Sequence, residues 1–210
     1  MSLLDTGVKP AVYALASFPA SGKDAVREYT ELVEVTDPLE IMPGIYTTGE
    51  VSTHVAEQAL IVETAQGAVI LTGCSHPGVV DMVRRAREVV ESEIALVTGG
   101  FHLIEASRAQ IEGIIADLQD LGVQRAAPSH FSGDLAMEMF AEVFGSDLWA
   151  GADHHYGRRV RAEFGRPCSF VIIFEFHLLR CTSGKKTYLG IPGGQYSSAP
   201  KSGTRKGRGS

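Results

Sequence analysis

Between about Leu39 and Trp149 the apolar and polar positions follow the periods of regular secondary structure. Glu57 to Thr64 reads as a strand, with Ala59, Leu60, Ile61 and Val62 apolar in succession, and Ala68-Val69-Ile70-Leu71 reads as a second. The short turn Gln66-Gly67 joins them into a hairpin, because glycine tolerates the positive φ such turns need. After Pro77-Gly78 the period changes. Val79, Val80, Val83, Ala86, Val89 and Val90 recur at helical spacing, while Asp81, Arg84, Arg85, Arg87 and Glu88 fill the opposite face. Pro77 suits the first turn of that helix, where a missing N–H costs nothing. Ile94 to Val97 reads as a buried strand ended by Gly99-Gly100. Ser107 with Gln110 forms a capping-box pattern ahead of a second amphipathic helix through Ile111, Ile114, Ile115, Leu118 and Leu121, which Gly122 stops. A short strand from Val123 to Ala127 leads into Pro128-Ser129-His130, and Asp134 is placed to cap a third helix holding Met137, Phe140, Ala141 and Phe144. The order strand, strand, helix, strand, helix, strand, helix predicts an α/β sandwich and argues against an all-β barrel.

The flanks are less regular. Residues 1–38 hold one strand-like piece, Leu3-Leu4, and a Pro/Ser/Gly-rich stretch from Ser17 to Lys23. Phe170 to Leu178 has the composition of a strand. Residues 197–210 are Ser, Gly, Lys and Arg, a composition too poor in apolar residues to order itself. The expected organisation is a shortened N-terminal segment (1–38), a main unit (39–160), an extension of undetermined role (161–196) and a disordered basic tail (197–210).

Composition narrows the functional classes. The chain has 210 residues, 44% hydrophobic and 21% charged, with a net charge of −6. That balance suits a globular protein with a sizeable core, and it predicts neither a nucleic-acid nor an anionic-membrane partner. No apolar run reaches the roughly 20 residues of a membrane span, and Met1 to Asp5 shows no basic-then-apolar export pattern. Cys74, Cys168 and Cys181 cannot all pair and lack zinc-finger spacing. A reducing cytoplasm is the expected compartment.

The chemistry concentrates in histidines beside strand ends. His76 follows the strand Val69 to Leu71, His102 follows Ile94 to Val97, His130 follows the strand near Val123, and His54 precedes the strand that begins near Glu57. In α/β sheets ligand groups collect at the carboxyl ends of strands, so three strand-end histidines are candidates for one cluster. Imidazole is the commonest ligand for zinc and similar ions. A single histidine after a strand is more often a hydrogen-bonded structural residue. Asp153-His154-His155-Tyr156 carries less weight, since adjacent loop histidines seldom form a site. His177, Cys168 and Cys181 read as structural, and the basic tail (Lys201, Arg205, Lys206, Arg208) as a solvated end.

The residues around these histidines form ordered motifs. Met42-Pro43-Gly44-Ile45-Tyr46-Thr47-Thr48-Gly49-Glu50, Glu57-Gln58-Ala59-Leu60, Leu71-Thr72-Gly73-Cys74-Ser75-His76-Pro77-Gly78, Gly99-Gly100-Phe101-His102-Leu103 and Ala127-Pro128-Ser129-His130 resemble the metallo-β-lactamase superfamily. They look most like the branch containing dihydropterin ribofuranosylaminobenzene-phosphate synthase-like proteins, over roughly residues 39–150. The resemblance implies an α/β fold of the metallo-β-lactamase-type αββα sandwich, incomplete in its N-terminal half. It implies metal ligation by His76, His130 and His102, with His102 alternatively meeting a substrate anion, and substrate binding by Cys74 and Ser75. The implied cofactor is a divalent metal, zinc first, with manganese or iron as alternatives. His54 falls where the wider superfamily has a histidine, a position at which this branch often differs.

The chain departs from the family at one motif. Leu3-Leu4-Asp5-Thr6-Gly7 resembles the family strand that precedes His-x-His-x-Asp-His, yet no such motif occurs anywhere in the sequence. That motif supplies about half of the superfamily's ligands, and a catalytic zinc ordinarily has three protein ligands plus water. The expectation is therefore a metal-dependent hydrolase or transferase-like protein acting on a small, phosphorylated or pterin-like substrate. The alternatives are an inactive remnant that binds metal weakly or serves as an interaction protein, and an anion-binding module at the helix starts Pro77-Gly78 and Gly133-Asp134. Loss of part of one β-layer would expose the apolar face of the remaining sheet, so self-association into a homo-oligomer is also expected.

Overall fold

The computed structural model describes residues 9–129 and 132–145, together with the backbone of four strands at 160–162, 169–174, 177–182 and 187–189. In chain order the elements are β1 (Ala11–Leu15), α1 (Ala20–Arg27), β2 (Leu32–Val35), β3 (Leu39–Met42), β4 (Ile45–Thr47), β5 (Val51–Ser52), β6 (Ala56–Glu57), β7 (Leu60–Thr64), β8 (Gly67–Leu71), α2 (Val79–Arg87), β9 (Ile94–Gly99), α3 (Arg108–Asp120), β10 (Ala126–Pro128), α4 (Asp134–Phe144), β11 (Val160–Ala162), β12 (Ser169–Phe174), β13 (His177–Thr182) and β14 (Thr187–Leu189). They form a six-stranded sheet ordered β10-β9-β8-β7-β4-β3, a four-stranded sheet ordered β13-β12-β1-β2, and two short pairs, β11-β14 and β5-β6.

The continuous apolar runs of β7 and β8 have a direct consequence. Successive side chains point to opposite faces, so a strand without alternation must be covered on both sides. One face carries Ala59, Ile61, Ala68 and Ile70 into a core shared with Val79, Met82, Val83 and Ala86 of α2, Ile111, Ile115 and Leu118 of α3, and Met139 and Phe140 of α4. On the other face Leu60, Val62, Val69 and Leu71 are equally buried. Beside them the Gln58 Nε2 donates to the Tyr13 carbonyl of the four-stranded sheet, at 3.3 Å. Its Oε1 accepts from the Thr47 hydroxyl at 2.6 Å, so this buried amide is hydrogen-bonded on both sides. On the outer side of the small sheet, Val12 and Ala14 pack with Phe18, Val26 and Leu32 around α1. The layers are thus helix, sheet, sheet, helices, the expected α/β sandwich. The inner face of the large sheet is covered at these positions.

Several local expectations shift. The hairpin turn lies at Ala65-Gln66, with Gly67 (φ +115°) already the first residue of β8. The strand read from Glu57 is divided into β6 and β7. Pro77 stands before α2, whose N-cap is Gly78, and Asp134 is the first residue of α4 after the N-cap Gly133. In both cases the chain turns at a positive-φ glycine and then enters the helix. The capping box at Ser107 and Gln110 is present in full.

The N-terminal flank holds more order than its pattern suggested. The Ser17 to Lys23 stretch contains the start of α1, between the parallel strands β1 and β2. No residue of α1 is buried, which explains why it showed no apolar stripe. Beside the partly buried Val26, polar contacts tie it down: Lys23 donates to the Ala16 carbonyl at 2.8 Å and pairs with Glu34 at 2.7 Å. The Phe170 to Leu178 expectation resolves into two strands, β12 and β13, paired antiparallel, with β12 parallel to β1. Leu3-Leu4 and the basic tail lie outside the described residues.

Candidate functional site

β8, β9 and β10 are mutually parallel, so their carboxyl ends meet at one edge of the large sheet. The loops leaving those ends are laced together by backbone and hydroxyl hydrogen bonds. Gly100 N–H donates to the Gly73 carbonyl at 2.7 Å, and the Ser75 hydroxyl donates to the Gly100 carbonyl at 2.7 Å. Ser129 N–H donates to the Gly99 carbonyl at 2.8 Å, and Phe101 N–H donates to the Ser132 hydroxyl at 3.2 Å. The approach is close enough to demand glycine. A Cβ on Gly99 would lie 2.3 Å from the Thr72 hydroxyl and 2.4 Å from its carbonyl oxygen.

Burial then sorts the side chains. Phe101 is buried and meets Phe140 edge-on, with ring centroids 5.4 Å apart. Leu103 is buried as well. His102 stands between these two anchors and is exposed. Its ring lies beside that of His76, with centroids 4.4 Å apart and planes inclined by 49°. Two of the three predicted ligands, carried by different strand ends, are thus adjacent. The third, His130, lies outside the described residues, though Ser129 and Ser132 on either side of it are bonded into the same loops.

Strain falls at the same place. Ser75 (φ +60°) and His102 (φ +51°) are the two non-glycine residues with positive φ among the described residues. That conformation costs a residue with a Cβ about 1–2 kcal/mol, and such outliers cluster at functional sites.

Against His76 lies Glu57, which heads an apolar run in the sequence. Glu57 is fully buried. Its Oε2 accepts from Ser75 N–H at 3.0 Å, and its Oε1 accepts from His76 N–H at 2.8 Å and contacts His76 Nδ1 at 2.5 Å. A buried carboxylate is tolerable only when hydrogen-bonded, and the β8–α2 loop supplies those partners. The available signal in the sequence was a charged residue heading an otherwise apolar run.

The other candidates sit differently. Cys74 and Ser75 are 6% and 2% exposed, so they floor the loop. Cys74 is a thiol and not part of a disulfide. His54 is exposed in the turn between β5 and β6. His154, His155 and Cys168 lie outside the described residues, and for His177 and Cys181 only the backbone of β13 is described. Among the described residues, no group of three or more His, Cys, Asp and Glu stands ready to hold a metal ion. Both oxygens of Glu57 face the β8–α2 loop, where they meet the Ser75 and His76 N–H groups and His76 Nδ1. The described residues bring two imidazoles side by side, fewer than the three protein ligands of an ordinary catalytic zinc.

Comparison with known proteins agrees with this architecture. The crystal structure of a metal-dependent hydrolase of the β-lactamase superfamily superimposes with a TM-score of 0.51 and 29% identity, over 58% of this chain and 56% of that one. The fold is that of the metallo-β-lactamase superfamily. A 7,8-dihydropterin-6-methyl-4-(β-D-ribofuranosyl)-aminobenzene-5'-phosphate synthase from Methanocaldococcus jannaschii is 33% identical over 139 residues, 53% of this chain. Over that stretch the chain resembles the branch of the superfamily that this synthase represents. It spans about half the length of that curated relative, 47%. No family model matches the chain. Among the described residues, no helix is long and apolar enough to cross a membrane.

Proposed function

We propose that this chain is a metal-dependent hydrolase or transferase-like protein that holds one divalent ion at the carboxyl edge of the large sheet. The ligands are His76, His102 and His130, the preferred ion is zinc with manganese or iron as alternatives, and the substrate is a small, phosphorylated or pterin-like molecule. The observation that carries the reading is the pairing of His76 and His102, 4.4 Å apart, on loops from two parallel strands. The similarity to a synthase of a phosphorylated pterin compound and to a metal-dependent hydrolase supports it.

A divalent ion held by these histidines would supply Lewis-acid chemistry, activating water and offsetting charge on the substrate. The chain's own residues do the positioning. Phe101 and Leu103 anchor the loop that presents His102, and Ser75 ties the His76 loop to Gly100.

A second reading is a remnant that binds metal weakly and does not turn over. It is favoured by the absence of His-x-His-x-Asp-His from the sequence and by the two donors among the described residues. Elemental mass spectrometry after exhaustive dialysis without chelator tests the metal reading. About one zinc, manganese or iron per chain is expected, lost in His76→Ala and in His130→Ala. A protein that retains no metal overturns the proposed site. Metal retained without hydrolysis of phosphoester or pterin-type probes would select the second reading.

A further inference from the structure

We infer that Glu57 is a positioning residue that holds the His76 proton on Nδ1 and makes Nε2 the working nitrogen of the site. Its link to metal binding rests on the function proposed above; its effect on the imidazole does not.

The argument starts from the three N–H groups around the carboxylate. Those of the Ser75 and His76 backbones would be enough to staple the β8–α2 loop. The third contact, His76 Nδ1 to Oε1 at 2.5 Å, adds nothing to that staple and fixes the ring. Both Glu57 oxygens already accept backbone N–H groups, so the carboxyl faces His76 as an acceptor and the geometry calls for the proton on Nδ1. The lone pair of the neutral ring then belongs to Nε2. Loop and carboxylate are mutually braced, because Ser75 holds a left-handed backbone conformation beside His76 and its hydroxyl is tied to Gly100. On the far strand end, His102 places a second imidazole against the same ring. A carboxylate behind a ligand histidine fixes its tautomer and raises its basicity, and losing it typically weakens metal binding about 10–100-fold.

The test uses the full chain, labelled with 15N and free of metal, at a pH of about 8, above the ordinary imidazole range. Long-range 1H–15N correlations of His76 are expected to show Nδ1 protonated and Nε2 bare. A wild-type His76 carrying its proton on Nε2 overturns the inference, with no variant needed. Glu57→Gln, checked for folding by its amide spectrum, is expected to lose that single tautomer and to bind zinc about 10–100-fold more weakly. His54→Ala, altered in an exposed turn, serves as the control expected to change neither. A folded Glu57→Gln with unchanged tautomer and zinc affinity also overturns the inference. If Glu57→Gln does not fold, the wild-type spectrum still decides. The expected tautomer in a wild-type protein that binds no zinc would sink the metal reading and leave the role of Glu57 supported.

Discussion

The two sheets of this protein are assembled in different ways. Five strands of the large sheet, from β4 through β10, come from one stretch of chain in which each element packs on a near neighbour in sequence. β7 and β8 form a hairpin, and α2 and α3 lead from β8 to β9 and on to β10. The small sheet joins distant segments instead. β1 pairs with β2 about twenty residues later, and with β12 some 160 residues away. The first kind of sheet needs only local periodicity and short connections, whereas the second needs closure of a long loop before any contact forms. The candidate site is built on the first kind. Its histidines are carried on loops whose anchor residues, Phe101 and Leu103, belong to the core of the large sheet.

Perturbations of unequal size should expose that difference. The largest effect is expected from Phe140→Ala, which removes a fully buried ring that contacts Phe101 and Phe144. It should cost about 3–5 kcal/mol in urea unfolding. Val12→Ala in β1, truncating a much smaller buried side chain, should cost clearly less. Equal losses at the two positions would mean that the sheets contribute alike. Gly99→Ala should cost about 1–3 kcal/mol, because the new methyl group would collide with Thr72 and the backbone would be held at φ +143°. The His76–His102 ring contact should be disturbed with it, which ring-proton chemical shifts would reveal. Ser107→Ala removes the capping box of α3, and a loss of about 1 kcal/mol is expected from thermal unfolding.

The smallest effect concerns the small sheet's margin. The hydrogen bond from Lys23, with the nearby Arg27 charge, holds the Glu34 carboxyl below its ordinary range despite an opposing desolvation effect. A carboxylate whose pKa is lowered on folding stabilises the folded state at pH values above its ordinary range. That contribution is lost as pH falls through the lowered value. Amide exchange in β2 should therefore accelerate at acid pH before exchange in β8 does. Because the pair is exposed, salt should weaken the effect. Identical acid sensitivity in both strands would remove the distinction between the sheets.

Much of the large sheet was legible from sequence because its elements bury one face or two, and burial writes itself as period. The unbroken apolar run at Ala59 to Val62 required a layer on each side, and the helical spacing at Val79 to Val90 required a covering helix. The histidines at strand ends were legible because parallel strands must bring their carboxyl ends to one edge. α1 left little such mark, since none of its residues is fully buried and the Lys23–Glu34 pair helps hold it across a distance of chain. The place of β12 beside β1 was equally invisible, because pairing partners are chosen by tertiary closure and no local pattern specifies them. Glu57 shows the same limit within the site. As a residue it was only a charge at the head of a strand, and its meaning came from the fold carrying Ser75 and His76 over it. Local chemistry determined which residues could matter; only the packing of distant segments decided which of them touch, because hydrogen-bond and ring contacts depend on ångström distances that sequence spacing does not encode.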